Sequence, residues 1–91
     1  MWHWNYVVNL RKEFDKAVRG MIPVRGCYNA VVVNKVTGER SETQGDIGNE
    51  AVWDNYFVWL LNDMVEMGIG DIEDLTIETV EYAGTENLCT A

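Results

Sequence analysis

No lysine or arginine occurs after Arg40, although 51 of the 91 residues lie beyond it. Phosphate contacts need those side chains to displace counterions, so direct nucleic-acid binding by the later part of the chain is disfavoured. Histidine occurs once, at His3, and cysteine twice, at Cys27 and Cys89. This leaves little for a metal cage or a nucleophilic triad. No apolar run approaches the roughly 18 residues of a membrane span. The start, Met1-Trp2-His3-Trp4-Asn5, has neither the basic end nor the apolar stretch of a signal peptide. The expectation is a cytoplasmic protein with no membrane association and no cofactor.

What is present is a foldable composition. Apolar residues make up 47% of the chain and aromatics 11%, too rich for a disordered polymer despite a net charge of -8. The length allows one domain, residues 1–91, burying about 60 to 65% of its unfolded surface. Charge is divided unevenly. Seven basic residues (Arg11, Lys12, Lys16, Arg19, Arg25, Lys35, Arg40) face three acidic ones (Glu13, Asp15, Glu39) in the first forty, a net of +4. Residues 41–91 carry twelve carboxylates and a net of -12: Glu42, Asp46, Glu50, Asp54, Asp63, Glu66, Asp71, Glu73, Asp74, Glu78, Glu81 and Glu86. Such asymmetry speaks of partners and solubility rather than of fold.

Periodicity assigns the elements. Val7, Leu10, Phe14, Val18 and Met21 recur at helical spacing, predicting a helix from about Asn5 to Arg19 that Gly20 stops. Trp2 or Trp4 is expected to fold back over the end of the core. From Cys27 the β-branched run through Val36 predicts a central strand partly covered on both sides, with Tyr28, Ala30, Val32 and Val36 on one face and Val31 and Val33 on the other. Thr37-Gly38 turns it into a polar edge strand over Glu39–Thr43, and Gln44–Gly48 reads as a loop. Asn49 is positioned to cap a second helix, Glu50–Met67, closed by Gly68. Trp53, Tyr56, Phe57, Leu60, Met64 and Met67 form its apolar face. After a turn at Gly68–Asp74, Leu75–Tyr82 is a last strand whose alternation slips at Glu78, the sign of a bulge or of two-sided burial; the tail from Ala83 frays. The order α-β-β-α-β predicts an α+β fold, a mainly antiparallel three-stranded sheet packed with two amphipathic helices. If both helices share a sheet face, the core is Phe14, Val18, Val32, Phe57, Leu60, Met64 and Ile77.

Chemistry is sparse. His3 at a terminus has no orienting neighbour, and no catalytic residue is assigned. Cys27 opens a buried strand as a small apolar residue, and a cytosolic setting disfavours a bridge to Cys89. Asp71, Glu73 and Asp74 suggest calcium, but their spacing lacks the terminal bidentate Glu of an EF-hand, so no metal is assigned. No glycine pattern matches a phosphate loop. A binding surface remains. Trp59 falls among Asn55, Asn62, Asp63 and Glu66 on the polar side of the second helix, the composition of an interface anchor. Together with Asp71, Glu73 and Asp74 these form the candidate partner-binding surface, while packing of Trp59 against the N-terminal tryptophans or a loop is the competing reading.

In size and charge the chain resembles in kind the small acidic inhibitors that viruses deploy against nucleic-acid-handling systems, including anti-CRISPR proteins and other DNA mimics. The likeness rests on composition alone. It implies a non-enzymatic protein whose carboxylates occupy phosphate sites on a basic, nucleic-acid-binding partner. Two rivals are a regulatory or adaptor domain pairing through a sheet edge or the second helix, and a small-ligand binder with an aromatic pocket around Trp53, Tyr56 and Tyr82. A homodimer through the exposed helix or edge strand is a further possibility.

Overall fold

The structure, a computed structural model, describes residues 4–84. Along the chain run helix α1 (Trp4–Ala17), strands β1 (Gly26–Asn34) and β2 (Arg40–Ile47), helix α2 (Trp53–Glu66), a single 3-10 turn (Ile72–Asp74) and strand β3 (Leu75–Gly84). The sheet is antiparallel in the order β2-β1-β3, so the β-branched strand is central and the polar strand is an edge. The architecture is α+β, as the periodicity predicts.

Both helices cover one face of the sheet, α1 over β3 and α2 over β2. Between them lies one core. Leu10, Phe14 and Val18 meet Tyr28, Ala30 and Val32 of β1, the α2 residues Tyr56, Phe57, Leu60, Leu61 and Met64, and Leu75, Ile77 and Val80. Every core residue named from periodicity is buried. Tyr28 is the hub: its ring centroid lies 5.2 Å from Trp53, 5.3 Å from Tyr56 and 5.2 Å from Tyr82. Its hydroxyl donates to the Val24 carbonyl at 2.9 Å and accepts from the Val24 amide at 3.0 Å, tying the linker after α1 to the sheet.

The helix stops follow the glycines. Gly20 (φ 82°) and Gly68 (φ 74°) hold the left-handed conformation that costs a residue with a Cβ. The bulge also lies where alternation slips: Ile77 pairs with Val32 and Thr79 with Val31, so Glu78 is the extra residue. β3 ends two residues beyond the expected Tyr82; the rest of the predicted frayed tail, with Met1, Trp2 and His3, lies outside the described residues.

Several expectations are corrected. Gln44–Ile47 belongs to β2 rather than to a loop, because Gly45 and Ile47 face the core and are buried there. That extension shortens α2. Residues 48–52 must cross from the sheet edge to the helical layer, so Val52 in extended backbone (φ -127°, ψ 138°) takes the N-cap place expected of Asn49, with no side-chain cap. Val36 sits in the turn and is exposed. Trp4 does not fold back over the core: it is 74% exposed. Cys27 is disulfide-bonded rather than a free thiol; Cys89 lies outside the described residues.

One buried polar side chain organises the end of the sheet opposite to Tyr28. Asn34 donates from Nδ2 to the Ile69 carbonyl at 2.7 Å and accepts at Oδ1 from the Val36 and Thr37 amides at 2.8 and 3.0 Å. The hairpin turn and the loop after α2 are thereby held together, and each polar atom of the amide is satisfied.

Candidate functional site

The eight residues singled out by sequence fall into three groups. Asn55, Asn62 and Glu66 are exposed along α2. Trp59 and Asp63 turn toward β2 instead. The indole lies over Gly45 and stacks on Tyr56 with centroids 5.3 Å apart and planes 23° from parallel, and the Asp63 carboxylate accepts the Thr43 hydroxyl. Trp59 is half-buried against the core, so the anchor expected to project into solvent is packed on the sheet edge. The signal for this was in the sequence: an isolated glycine within a strand marks a close approach by another group.

Asp71, Glu73 and Asp74 form the third group, with one carboxylate oxygen of each within 4.8 Å of the others. The Tyr6 phenol donates to Glu73. That bond, then the charges of Glu73 and Asp74 with some burial, keeps the Tyr6 proton on above the usual tyrosine pKa. Lys35 anchors the turn through its amide, which donates to the Asp74 carbonyl at 2.7 Å.

Periodicity puts Val31 and Val33 on the second face of the sheet and expects it to be partly covered; both are half-buried, and what periodicity missed is which carboxylates share that face. Tyr28, Ala30 and Val32 point to the helices, so Asn29, Val31 and Val33 point away, and their cross-strand partners share that face. Those partners are Arg40 opposite Val33, Glu42 opposite Val31, Gln44 opposite Asn29, and, from β3, Thr79 and Glu81. Asp46, opposite Cys27, continues the row. Two bonds fix the arrangement: Asn29 Nδ2 donates to Glu42 Oε1 at 3.1 Å, and Arg40 reaches across the central strand to pair with Glu78. α1 reaches one corner of this face, where Thr76, opposite Val33, donates to Glu13 at 3.2 Å and Glu13, Lys16 and Ala17 line a cleft with Val33 and Glu78; no described element covers the stretch from Asn29 to Val31 with Glu42, Gln44, Thr79 and Glu81.

Ion pairing leaves most of the negative charge unopposed. Among the described residues the pairs are Arg11–Asp15, Arg11–Asp54 and Arg40–Glu78, so nine of the eleven carboxylates from 41 to 84 have no cationic partner. On the open sheet face Glu42, Asp46 and Glu81 remain after Arg40 has been taken by Glu78. Of the α1 lysines, Lys16 lines the cleft with Val33 and Glu78 at the β3 corner, while Lys12 sits on the helical layer beside Trp4 and Phe57, and a Debye length of about 8 Å limits its reach through solvent. The surface field is therefore divided by the fold as well as by the sequence.

The aromatic rings do not enclose a ligand pocket. Trp53, Tyr56 and Tyr82 each pack on Tyr28, which fills the space between them. The Tyr56 hydroxyl is buried without a hydrogen-bond partner. Burial, with smaller contributions from Asp63 and Tyr28, pushes its pKa far above the ordinary tyrosine value. Among the described residues no helix is long and apolar enough to cross a membrane. No family model, curated protein or solved structure matches the chain.

Proposed function

We propose that the chain is a non-enzymatic inhibitor of DNA-mimic type, of the kind viruses direct against host defence, anti-CRISPR proteins included. Its open sheet face occupies the basic groove of a nucleic-acid-binding protein. The single observation that supports this is the set Glu42, Asp46 and Glu81 on the sheet face away from the helices, none of them in an ion pair among the described residues once Arg40 is paired with Glu78. Side chains two apart on a strand repeat at about 6.6 Å and neighbouring strands lie about 4.8 Å apart, so the sheet offers its carboxylates as a rigid two-dimensional array. Rigidity matters because charges held in place give up little side-chain entropy on binding. Gln44, Asn29 and Thr79 between them supply neutral hydrogen-bonding groups, and Val31 and Val33 a small apolar centre.

The site carried by Asn55, Asn62, Asp63, Glu66, Asp71, Glu73 and Asp74 adds negative potential that steers a basic partner, while Trp59 acts through the scaffold by fixing α2 to β2. No step of this reading uses a metal, a cofactor or bound nucleic acid. The bridge at Cys27 weighs against the reducing cytoplasm expected from sequence, because thiols are kept reduced there.

The test is competition. A nucleic-acid-binding protein captured by the immobilised chain from nuclease-treated lysate should be released by added duplex DNA and by salt. Capture should be lost in a Glu42→Lys/Glu81→Lys variant that melts normally. Capture indifferent to duplex and to both reversals would overturn the reading.

A further inference from the structure

The outer surface of the helical layer carries an apolar seam that no described element covers. α1 and α2 run antiparallel, with Arg11 Nη1 2.8 Å from Asp54 Oδ1 and the Arg11 guanidinium over the rings of Phe14 and Phe57 at 5.6 and 5.2 Å. Beside that bridge an apolar cleft of about 300 Å³ opens between Trp4, Val7, Val8 and Phe57. Trp4 is 74% exposed, and Val58 and Val65 on the neighbouring flank of α2 are 55% and 52% exposed. Single exposed apolar residues are ordinary, but a Trp and two Val lining one seam are not.

Charge on either side of the seam is of opposite sign. Lys12 and Lys16 of α1 are exposed and, among the described residues, in no ion pair, whereas α2 and its approach present Glu50, Asp54 and Glu66. A surface with a basic flank, an apolar centre and an acidic flank complements itself under a two-fold rotation about an axis parallel to the helices. That rotation lays α1 of one copy over α2 of the other. An axis perpendicular to the helices would oppose like charges instead.

We propose that two copies of this chain form a homodimer through this seam, leaving the acidic sheet face of each copy outward. The Arg11–Asp54 bridge sets the register. Seven residues toward the N-terminus from Arg11, Trp4 lies about 10 Å along the axis, level with Leu61 on antiparallel α2. Across the two-fold axis the indole of one copy therefore drops between Val58 and Val65 of the other. Lys12 comes level with Asp54 of the second copy, and Lys16 with the segment that leads into its α2, where Glu50 lies. This dimer is independent of the reading of the sheet face, which it neither uses nor covers.

Light scattering coupled to size exclusion tests it, using the whole chain. The expected result is a dimer that Val58→Asp or Trp4→Ala weakens by about tenfold or more while the circular dichroism melt stays cooperative. The pairing scheme has its own test. Lys12→Glu/Lys16→Glu and Glu50→Lys/Asp54→Lys variants should each be monomeric alone and should dimerise when mixed, since one variant's α1 then opposes the other's α2 with restored complementarity. A monomeric wild type at the highest attainable concentration would overturn the proposal. So would a dimer that persists in Val58→Asp and Trp4→Ala, or a mixture of the two charge variants that stays monomeric.

Discussion

The indole of Trp59 lies so close over Gly45 that a methyl group added to Gly45 would overlap the ring. Strand and helix are thus matched at one point, where the absence of a side chain on β2 makes room for one of the two tryptophans of α2.

That contact makes Gly45→Ala destabilising, by about 1 to 3 kcal/mol, because the ring must leave its position over the edge strand. Trp59→Ala should also lower stability, by about 2 to 3 kcal/mol, less than the 3 to 5 typical of a fully buried ring. The two changes should not add. In the Trp59→Ala background the Gly45→Ala substitution should be nearly neutral, and a double-mutant cycle of denaturant melts measures the coupling.

Tyr56→Phe should stabilise the protein. The hydroxyl is buried with no partner, so its removal relieves a desolvation penalty of about 1 to 3 kcal/mol without breaking a bond. A gain of about 1 kcal/mol would raise the melting temperature by roughly 4 to 8 °C for a domain of this size. An unchanged or lower midpoint would mean that the hydroxyl has a partner after all, such as a bound water.

Stability should fall at alkaline pH. The fold holds Tyr56 and Tyr6 in their protonated forms, the first by burial and the second by its bond to Glu73, so both folded pKa values lie above the unfolded one. Their contribution is complete below the unfolded tyrosine value, about 10, and is lost as pH climbs through the higher folded values. Tyrosinate absorbance should therefore rise together with unfolding, and Tyr56→Phe should move the transition to higher pH.

Binding of a basic partner should weaken steeply with ionic strength, with the largest loss from reversals on the sheet face. Glu42→Lys and Glu81→Lys should each cost more affinity than Glu66→Lys or Asp71→Lys, which change the net charge by the same amount but lie outside that face. Titrations at several salt concentrations rank the four variants; equal effects would assign the interaction to net charge rather than to a face.

Most of the fold was legible in the sequence because its elements are amphipathic and punctuated. The helical stripe Leu10-Phe14-Val18, the alternation Tyr28-Ala30-Val32, the stops at Gly20 and Gly68, and the slip at Glu78 are local signals, each read relative to its own element. The candidate site was less legible. Angular position on a helix says which side faces the core but not how wide the buried arc is, and α2 seated over the edge strand buries Trp59 as well as Tyr56. The acidic face needed the register of three strands, since Glu42 and Glu81 lie far apart in sequence and meet only across β1.

By itself the sequence determined the element order, the core and the confinement of every lysine and arginine to the first forty residues. The tertiary structure alone decided which carboxylates share a surface, which cations are taken up by ion pairs, and which aromatic ring is left in solvent. Trp4 is exposed and Trp59 covered, the reverse of the sequence expectation, because burial depends on the space that other elements leave. Gly45 leaves such a space under Trp59, and no described element supplies one for Trp4.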